Sequence, residues 1–514
     1  MEFIPRTMST QHPDNVHVPF FSTSSVLGGD DEIKEAYYVF SHLDCQEQLF
    51  DYEGKEADNF IIKKLLLRYP DYFFKKILGR DRILSFRIPN PTVEKTEAKI
   101  VIEVLNTIPR YFDTAMRFYK NNKDKDCIYA LKKEIAPINQ VYVPMVRCPY
   151  DIIRVAEYYK KHVAGVQNQK LVKEDVVISK WLGTFRPETI RVTPLVEDMD
   201  SMLKIDKITE EYIKSQNIKD YQRVWLARSD PALNYSSLSA ILLNKLALQK
   251  LHILEEKMSV DIFPIFGCGS SPFRGNFRPE TVNQIMKGYP SLQTYTLQSS
   301  FKYDNPLEKT KEAIETINTG KRKKPLMLEE KRILEIVEKV SIEYKKQIRH
   351  LAGMVNKVSQ FVPDRRKRKL HVGLFGYSRA SEGIKLPRAI KFCAAFYSFG
   401  IPAEILGMNG LSAKDIDYLK QSCYQNMDYD LRCALKYLNK DNLKYLPDQA
   451  RSSVTDALKF IEDNILEKGD LEIDEKHKEI TSRIMNELRK DCVSDPHMMQ
   501  EEITNAASIR GFIG

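Results

Sequence analysis

Thr189-Ile-Arg-Val-Thr-Pro-Leu-Val196 and Arg223-Val-Trp-Leu-Ala227 are short apolar runs that stop abruptly at charge. The first stops at Glu197 and the second at Arg228-Ser-Asp230. A run of this length, bounded so sharply, reads as a buried parallel strand with a functional C-terminal end. Two carboxylates leaving neighbouring strand ends are placed to share one hard cation such as Mg²⁺, which prefers oxygen ligands.

Working outward from this pair, similar runs recur along the chain. They fall at 47–52, 82–86, 139–143, 260–266, 293–297 and 369–375, so the pair supplies the fourth and fifth of eight strands. Apolar residues at helical spacing fill most of the gaps, at 98–120, 150–163, 235–254 and 308–318. Eight strands alternating with helices predict an α/β fold, a (β/α)₈ TIM barrel with additional, mainly C-terminal, helices. The expectation is one catalytic domain over 1–514. A segment 1–45 contributes to the site, the barrel covers 46–400, and a helical extension over 401–514 reaches back to the site.

The 514 residues are 43% hydrophobic and 29% charged, ordinary for a globular protein with a large core. No apolar run reaches the roughly 18–20 residues of a membrane span. The first ten residues lack the apolar core of a secretory signal, so a cytoplasmic protein is expected. Eight cysteines lie at 45, 127, 148, 268, 393, 423, 433 and 492, none in a C-x-x-C pair, and read as reduced packing residues. The net charge of +9 suits nucleic acid or an anionic substrate. No zinc finger, helix-turn-helix or aromatic-interleaved basic stripe favours nucleic acid. The densest basic run, Arg365-Arg-Lys-Arg-Lys369, reads as a solvated loop or helix end.

Barrel sites form where strand exits converge. The exits here are Asp51-Tyr-Glu53-Gly-Lys55, Arg87-Ile-Pro-Asn-Pro91, Val146-Arg147, Glu197-Asp198, Arg228-Ser-Asp230, Gly267-Cys-Gly-Ser-Ser-Pro-Phe-Arg274-Gly275, Gln298-Ser-Ser-Phe-Lys302 and Gly376-Tyr-Ser-Arg379. Basic groups with carboxylates that can hold a divalent cation suit a phosphorylated, carboxylate-bearing substrate. In the sixth exit, Gly269 and its neighbouring serines let backbone N–H groups approach an anion. The spacing fits neither a Walker nor a Rossmann loop. His12 lies in the polar, turn-like stretch Ser9-Thr-Gln-His-Pro-Asp-Asn15.

Several of these segments together resemble the archaeal-type phosphoenolpyruvate carboxylases. They are Ser9–Asn15, Asp51–Lys55, Phe86–Pro91, Leu226–Asn234, Ser271–Gly275, His371–Arg379, Leu386-Pro-Arg-Ala-Ile-Lys391 and Ala507-Ser-Ile-Arg-Gly-Phe-Ile-Gly514. The resemblance runs from residue 8 to the last. It implies a (β/α)₈ barrel, a Mg²⁺ or Mn²⁺ requirement, a homotetramer, and no nucleic-acid or membrane partner. The implied reaction joins phosphoenolpyruvate and bicarbonate, through carboxyphosphate and pyruvate enolate, to give oxaloacetate and inorganic phosphate.

The resemblance also implies residue roles. Glu197 and Asp230 would be the metal ligands, and His12 the base that helps carboxyphosphate decompose. Arg87 and Arg274 would hold the phosphate. The family's longer members carry an arginine where this chain has Cys268, another where it has Ser300, and a lysine soon after the second metal carboxylate, where this chain reads Pro231-Ala-Leu-Asn234. The missing positive charge is expected from Lys55, Arg147, Arg191, Arg228 or Arg379. Arg228 is counted with the catalytic set and Gly269 with the substrate contacts. Inhibition by aspartate or malate is expected through Arg274, Arg379 and Arg510. Two other readings predict different observables. Another metal-enolate barrel enzyme would release pyruvate or ATP, and a nucleic-acid-binding scaffold would show salt-sensitive binding.

Overall fold

The computed structural model describes residues 3–53, 58–95, 98–367, 384–467, 469, 471–490 and 493–514, with the backbone alone at 379–381. Eight parallel strands close into a barrel in chain order. They are β1 (Thr7–Ser9), β2 (Glu47–Asp51), β3 (Ile83–Arg87), β4 (Gln140–Val143), β5 (Arg191–Val196), β6 (Tyr221–Ala227), β7 (Asp261–Gly267) and β8 (Thr294–Leu297).

The expected strand series is therefore shifted by one. The opening strand is Thr7-Met8-Ser9, whose Met8 registers with Glu47 on one side and Thr296 on the other. Three residues carry no periodicity, so pattern alone passes over them. The run expected at 47–52 is the second strand. The run 369–375, expected as the eighth, lies outside the described residues, and the barrel closes at β8 without it. The N-terminal segment thus supplies a barrel strand, and Thr10-Gln11-His12 becomes a strand exit.

Side chains alternate across each strand. Met8, Leu49, Tyr142, Leu195, Trp225, Ala227 and Ile265 form an inner apolar cluster, while Val192, Val196, Val224, Leu226 and Phe266 join the outer core. The inner face also carries a buried ion pair. Arg223 Nη2 donates to Glu47 Oε2 at 2.8 Å and to Thr294 Oγ1 at 3.0 Å, and Nη1 donates to the Tyr142 hydroxyl at 2.6 Å. Ser85 and Tyr142 hydroxyls each donate to Glu47 Oε1 at 2.7 Å. One knot of side chains so joins β2, β3, β4, β6 and β8.

Outside the barrel the helix Ser237–Met258 is buried along most of its length. It packs against the 30-residue helix Glu330–Ser359, and the Ser239 and Ser341 hydroxyls bond each other across the two at 3.2 Å. Further helices follow at Ala389–Phe399, Ala413–Ser422, Met427–Leu435, Asp448–Asn464, Glu475–Leu488 and Pro496–Arg510. The last returns the chain to the barrel mouth, where Ile513 N–H donates to the Asp14 carbonyl at 2.8 Å. No single described helix is long and apolar enough to cross a membrane.

Arg223→Met leaves Glu47 charged and buried without its partner, so a stability loss of about 3–5 kcal/mol is expected in urea unfolding. Adding Glu47→Leu is expected to restore part of that loss. A single variant as stable as the parent would show that the pair does not hold the barrel.

Candidate active site

The C-terminal strand ends surround a cavity of about 370 Å³. Its carboxylates are set by strand phase. Leu195 points into the barrel, so Glu197, two residues on, does too, and it lines the cavity. The Met145 N–H donates to Glu197 Oε2 at 3.0 Å, from a backbone at φ +51. After Ala227 the chain turns into the helix Ser229–Tyr235, whose first turn brings Asp230 to the same cavity.

These two carboxylates come from adjacent strands and offer only hard oxygen donors. Among the described residues no cluster of three or more His, Cys, Asp or Glu side chains forms a cage. That donor set fits a cation that keeps water and substrate oxygens in its shell, as Mg²⁺ does, rather than one bound entirely by protein.

Cations face the carboxylates. Arg87, the last residue of β3, is gripped by Asp51 at 3.0 and 2.6 Å and by Glu53 at 3.0 Å. Burial alone would lower its pKa, but Asp51 and Glu53 outweigh that and hold the guanidinium above its usual range. Behind it Glu94 is buried, and neither carboxylate oxygen has a hydrogen-bond partner among the described residues. Burial and the Glu53 charge push it up to about 8.

Arg274 is held more completely. Nε donates to Ser229 Oγ at 3.1 Å, and Nη1 donates to Asp14 at 3.3 Å and to a main-chain oxygen of Gly514 at 2.7 Å. Nη2 donates to Gln298. A Cβ on Gly269 would lie 2.8 Å from the Arg274 guanidinium carbon, so the glycine makes room for the arginine and does not itself line the cavity. His12 lines the cavity, with Nδ1 3.0 Å from the Thr10 hydroxyl. Trp225 forms an apolar wall whose indole N–H has no hydrogen-bond partner among the described residues.

A family model described as phosphoenolpyruvate carboxylase matches residues 4–514. The phosphoenolpyruvate carboxylase of Methanospirillum hungatei is 44% identical over 99% of this chain and 100% of its own. Those of Methanothermobacter thermautotrophicus and Pyrococcus abyssi are 43% and 42% identical, each over 99% of this chain and all of theirs. The chain belongs to the archaeal-type phosphoenolpyruvate carboxylases. Members of this family are carboxy-lyases.

Within this carboxylase the structure brings His12, Arg87, Glu197, Asp230 and Arg274 to one cavity. Four other expected residues lie elsewhere. Arg191 opens β5, six residues or about 20 Å before Glu197. There it pairs with Asp220 and stacks on Tyr221 at the opposite barrel face. Arg228 continues the outward phase of Val224 and Leu226, and lines a second cavity behind the glycine loop. Arg147 has a side chain 71% exposed, 3.8 Å from Asp198, and does not line the site. Arg510 is buried against His477 at 2.8 Å and donates to the Ile513 carbonyl at 3.1 Å, so it anchors the tail rather than facing the cavity. Burial lowers it to about 10, and burial with the Arg510 charge lowers His477 to about 2. Lys55 and the Arg379 side chain lie outside the described residues.

Cys268 and Ser300, where positive charge was expected to be missing, have structural contacts of their own. Burial pushes the Cys268 thiol up to about 12, so it packs rather than reacts. The Ser300 N–H caps Asp14 at 2.8 Å, and Ser300 Oγ donates to the Gly511 carbonyl at 2.7 Å, fixing the groups that hold Arg274.

Positive charge missed in the sequence comes from the run read as solvated. Arg365 and Arg366 are only 8% and 3% exposed and line the cavity. Arg366 pairs with the buried Glu35 at 2.6 Å, which Lys302 reaches at 2.9 Å. Burial would raise the Glu35 carboxyl, but these two cations hold it well below the carboxylate range. Lys302 also donates to Ser9 and Thr10 at 2.8 and 3.0 Å, steadying the exit that carries His12. Arg388 and Lys391 line the cavity mouth, Arg388 at 3.5 Å from Glu53. Their signal was present in Leu386-Pro-Arg-Ala-Ile-Lys391, but nothing in that stretch shows which way its side chains face.

Gly269→Ala pushes the Arg274 guanidinium aside, so kcat/KM for phosphoenolpyruvate is expected to fall by about 100-fold with thermal stability nearly unchanged. Parental kinetics would show that the arginine tolerates displacement.

Proposed function

We propose that this carboxylase works as a Mg²⁺- or Mn²⁺-dependent enzyme, and that the cavity lined by His12, Arg87, Glu197, Asp230 and Arg274 is where phosphoenolpyruvate meets bicarbonate. The observation that supports the reading is the opposition of two carboxylates from adjacent strand ends to a set of buried arginines in one cavity. Glu197 and Asp230 would hold the cation, which when bound stabilises negative charge developing on the substrate's oxygens.

The protein's own groups have separable tasks. Arg87 and Arg274 bind the phosphate, with Arg366 and Arg388 adding charge. Because their carboxylate partners already fix them, little reorganisation is needed when the phosphoryl group moves. Bicarbonate oxygen attacks phosphorus, the bond from phosphorus to the enol oxygen breaks, and carboxyphosphate and pyruvate enolate form. His12 takes the carboxyl proton as carboxyphosphate separates into CO₂ and phosphate. The apolar wall of Leu195, Trp225 and Val362 keeps water from the enolate until its carbon attacks CO₂. The product is oxaloacetate, so the role is anaplerotic. The reading includes a homotetramer working in the cytoplasm.

Bicarbonate-dependent oxaloacetate formation, followed by coupling to malate dehydrogenase, tests this directly, and chelation of divalent metal is expected to abolish it. Glu197→Gln and Asp230→Asn each remove several kcal/mol of charge stabilisation, so kcat is expected to fall about 1000-fold with the fold retained. His12→Asn is expected to reduce carboxylation more than bicarbonate-dependent phosphoenolpyruvate cleavage. Equal losses would remove His12 as the base.

Inhibition by a dicarboxylate such as aspartate or malate would work through Arg274, where a carboxylate can compete with the Gly514 oxygen. Arg510 would contribute by fixing the tail, and Arg379 stays in the proposal by family likeness. L-Aspartate at millimolar concentration is expected to raise the KM for phosphoenolpyruvate; an unchanged KM rejects this route.

A further inference from the structure

The second cavity, about 60 Å³, lies behind the loop Gly267–Gly275. Space of about 10–15 Å³ admits one water, so it holds roughly four water-sized groups, the bulk of a tetrahedral oxyanion and too little for the main substrate. Its walls are unusually cationic for so enclosed a space. Arg228 is 1% exposed, its Nη2 donates to Ser237 Oγ at 2.9 Å, and its Nη1 has no hydrogen-bond partner among the described residues. Lys245 is also buried; its ammonium meets the Gly288 carbonyl and sits 4.3 Å from the centre of the Tyr289 ring. Burial lowers it to about 8.

One carboxylate, Asp430, lines the same space, but Asn276 Nδ2 donates to it at 2.8 Å and Tyr424 also hydrogen-bonds it. The exposed Lys287 adds a third cation to the lining. A buried guanidinium N–H left without an acceptor is costly, and an anion is what satisfies it.

We propose that this cavity is a binding site for a compact oxyanion, of the class of inorganic phosphate, held by Arg228 Nη1 and Lys245 Nζ and separate from the catalytic cavity. The two sites share a wall. Pro272 and Gly275 line the second cavity, while Gly267 and Arg274 of the same loop line the first. Arg228 packs on that wall: a Cβ on Gly275 would be 3.5 Å from its Cγ. Occupancy therefore bears on the loop that presents Arg274.

Calorimetric titration of the intact enzyme with inorganic phosphate is expected to show two classes of site. Gln284→Glu keeps the shape of a half-buried wall residue and adds a like charge, so it is expected to weaken one class by about tenfold or more. Lys245→Met is expected to do the same by removing a cation. Tungstate soaked into crystals is expected to give anomalous density between Arg228 and Lys245. Density confined to the main cavity, or phosphate binding unchanged in both variants, overturns the proposal.

Discussion

The buried pair of Arg223 and Glu47 is the constraint around which the barrel is arranged. Two opposite charges with their hydrogen-bond capacity largely taken up by Ser85, Tyr142 and Thr294 sit where only apolar layers are expected. Each partner is tolerable only with the other in place. The pair therefore ties strands that are distant in sequence to one angular position around the barrel. The strand phase it fixes is the phase that turns Glu197 and Arg87 inward one layer above. Chemistry at the mouth depends on register set at the floor.

A second consequence of charge pairing runs through the mouth itself. Arg87, Arg274 and Arg366 each have carboxylate partners before any substrate arrives. Such arginines are oriented in advance and cannot collapse onto Glu197 and Asp230. Their fields are partly neutralised, so the anion they attract is selected by shape and by simultaneous contact rather than by charge alone. Arg365, Arg366 and Arg388, from the connection after Glu330–Ser359, bring positive charge to the cavity lining, while Cys268 and Ser300 bring none.

Seven of the eight strands, and the two carboxylates that line the cavity beside them, were legible in the sequence, because apolar runs ending in charge survive averaging over neighbours. What escaped was short or depended on phase. Thr7–Ser9 is too brief to show a period. Arg228 and Arg191 were assigned by proximity to strand ends, yet one step of alternation, or the wrong end of the strand, sends a side chain to another compartment. Arg365 and Arg366 failed in the opposite sense. A basic run reads as solvated when the carboxylate that buries it, Glu35, lies 331 residues away from Arg366. Pairing at that distance has no local signature.

The grip on Arg274 joins the two extremes of the chain. Asp14 lies 260 residues before it and Gly514 lies 240 residues after it. The barrel is complete at β8, but the grip on Arg274 also needs the helix Pro496–Arg510 folded back across the mouth. Order at Arg274 is thereby coupled to the packing of that helix, and a closed barrel alone does not fix this arginine.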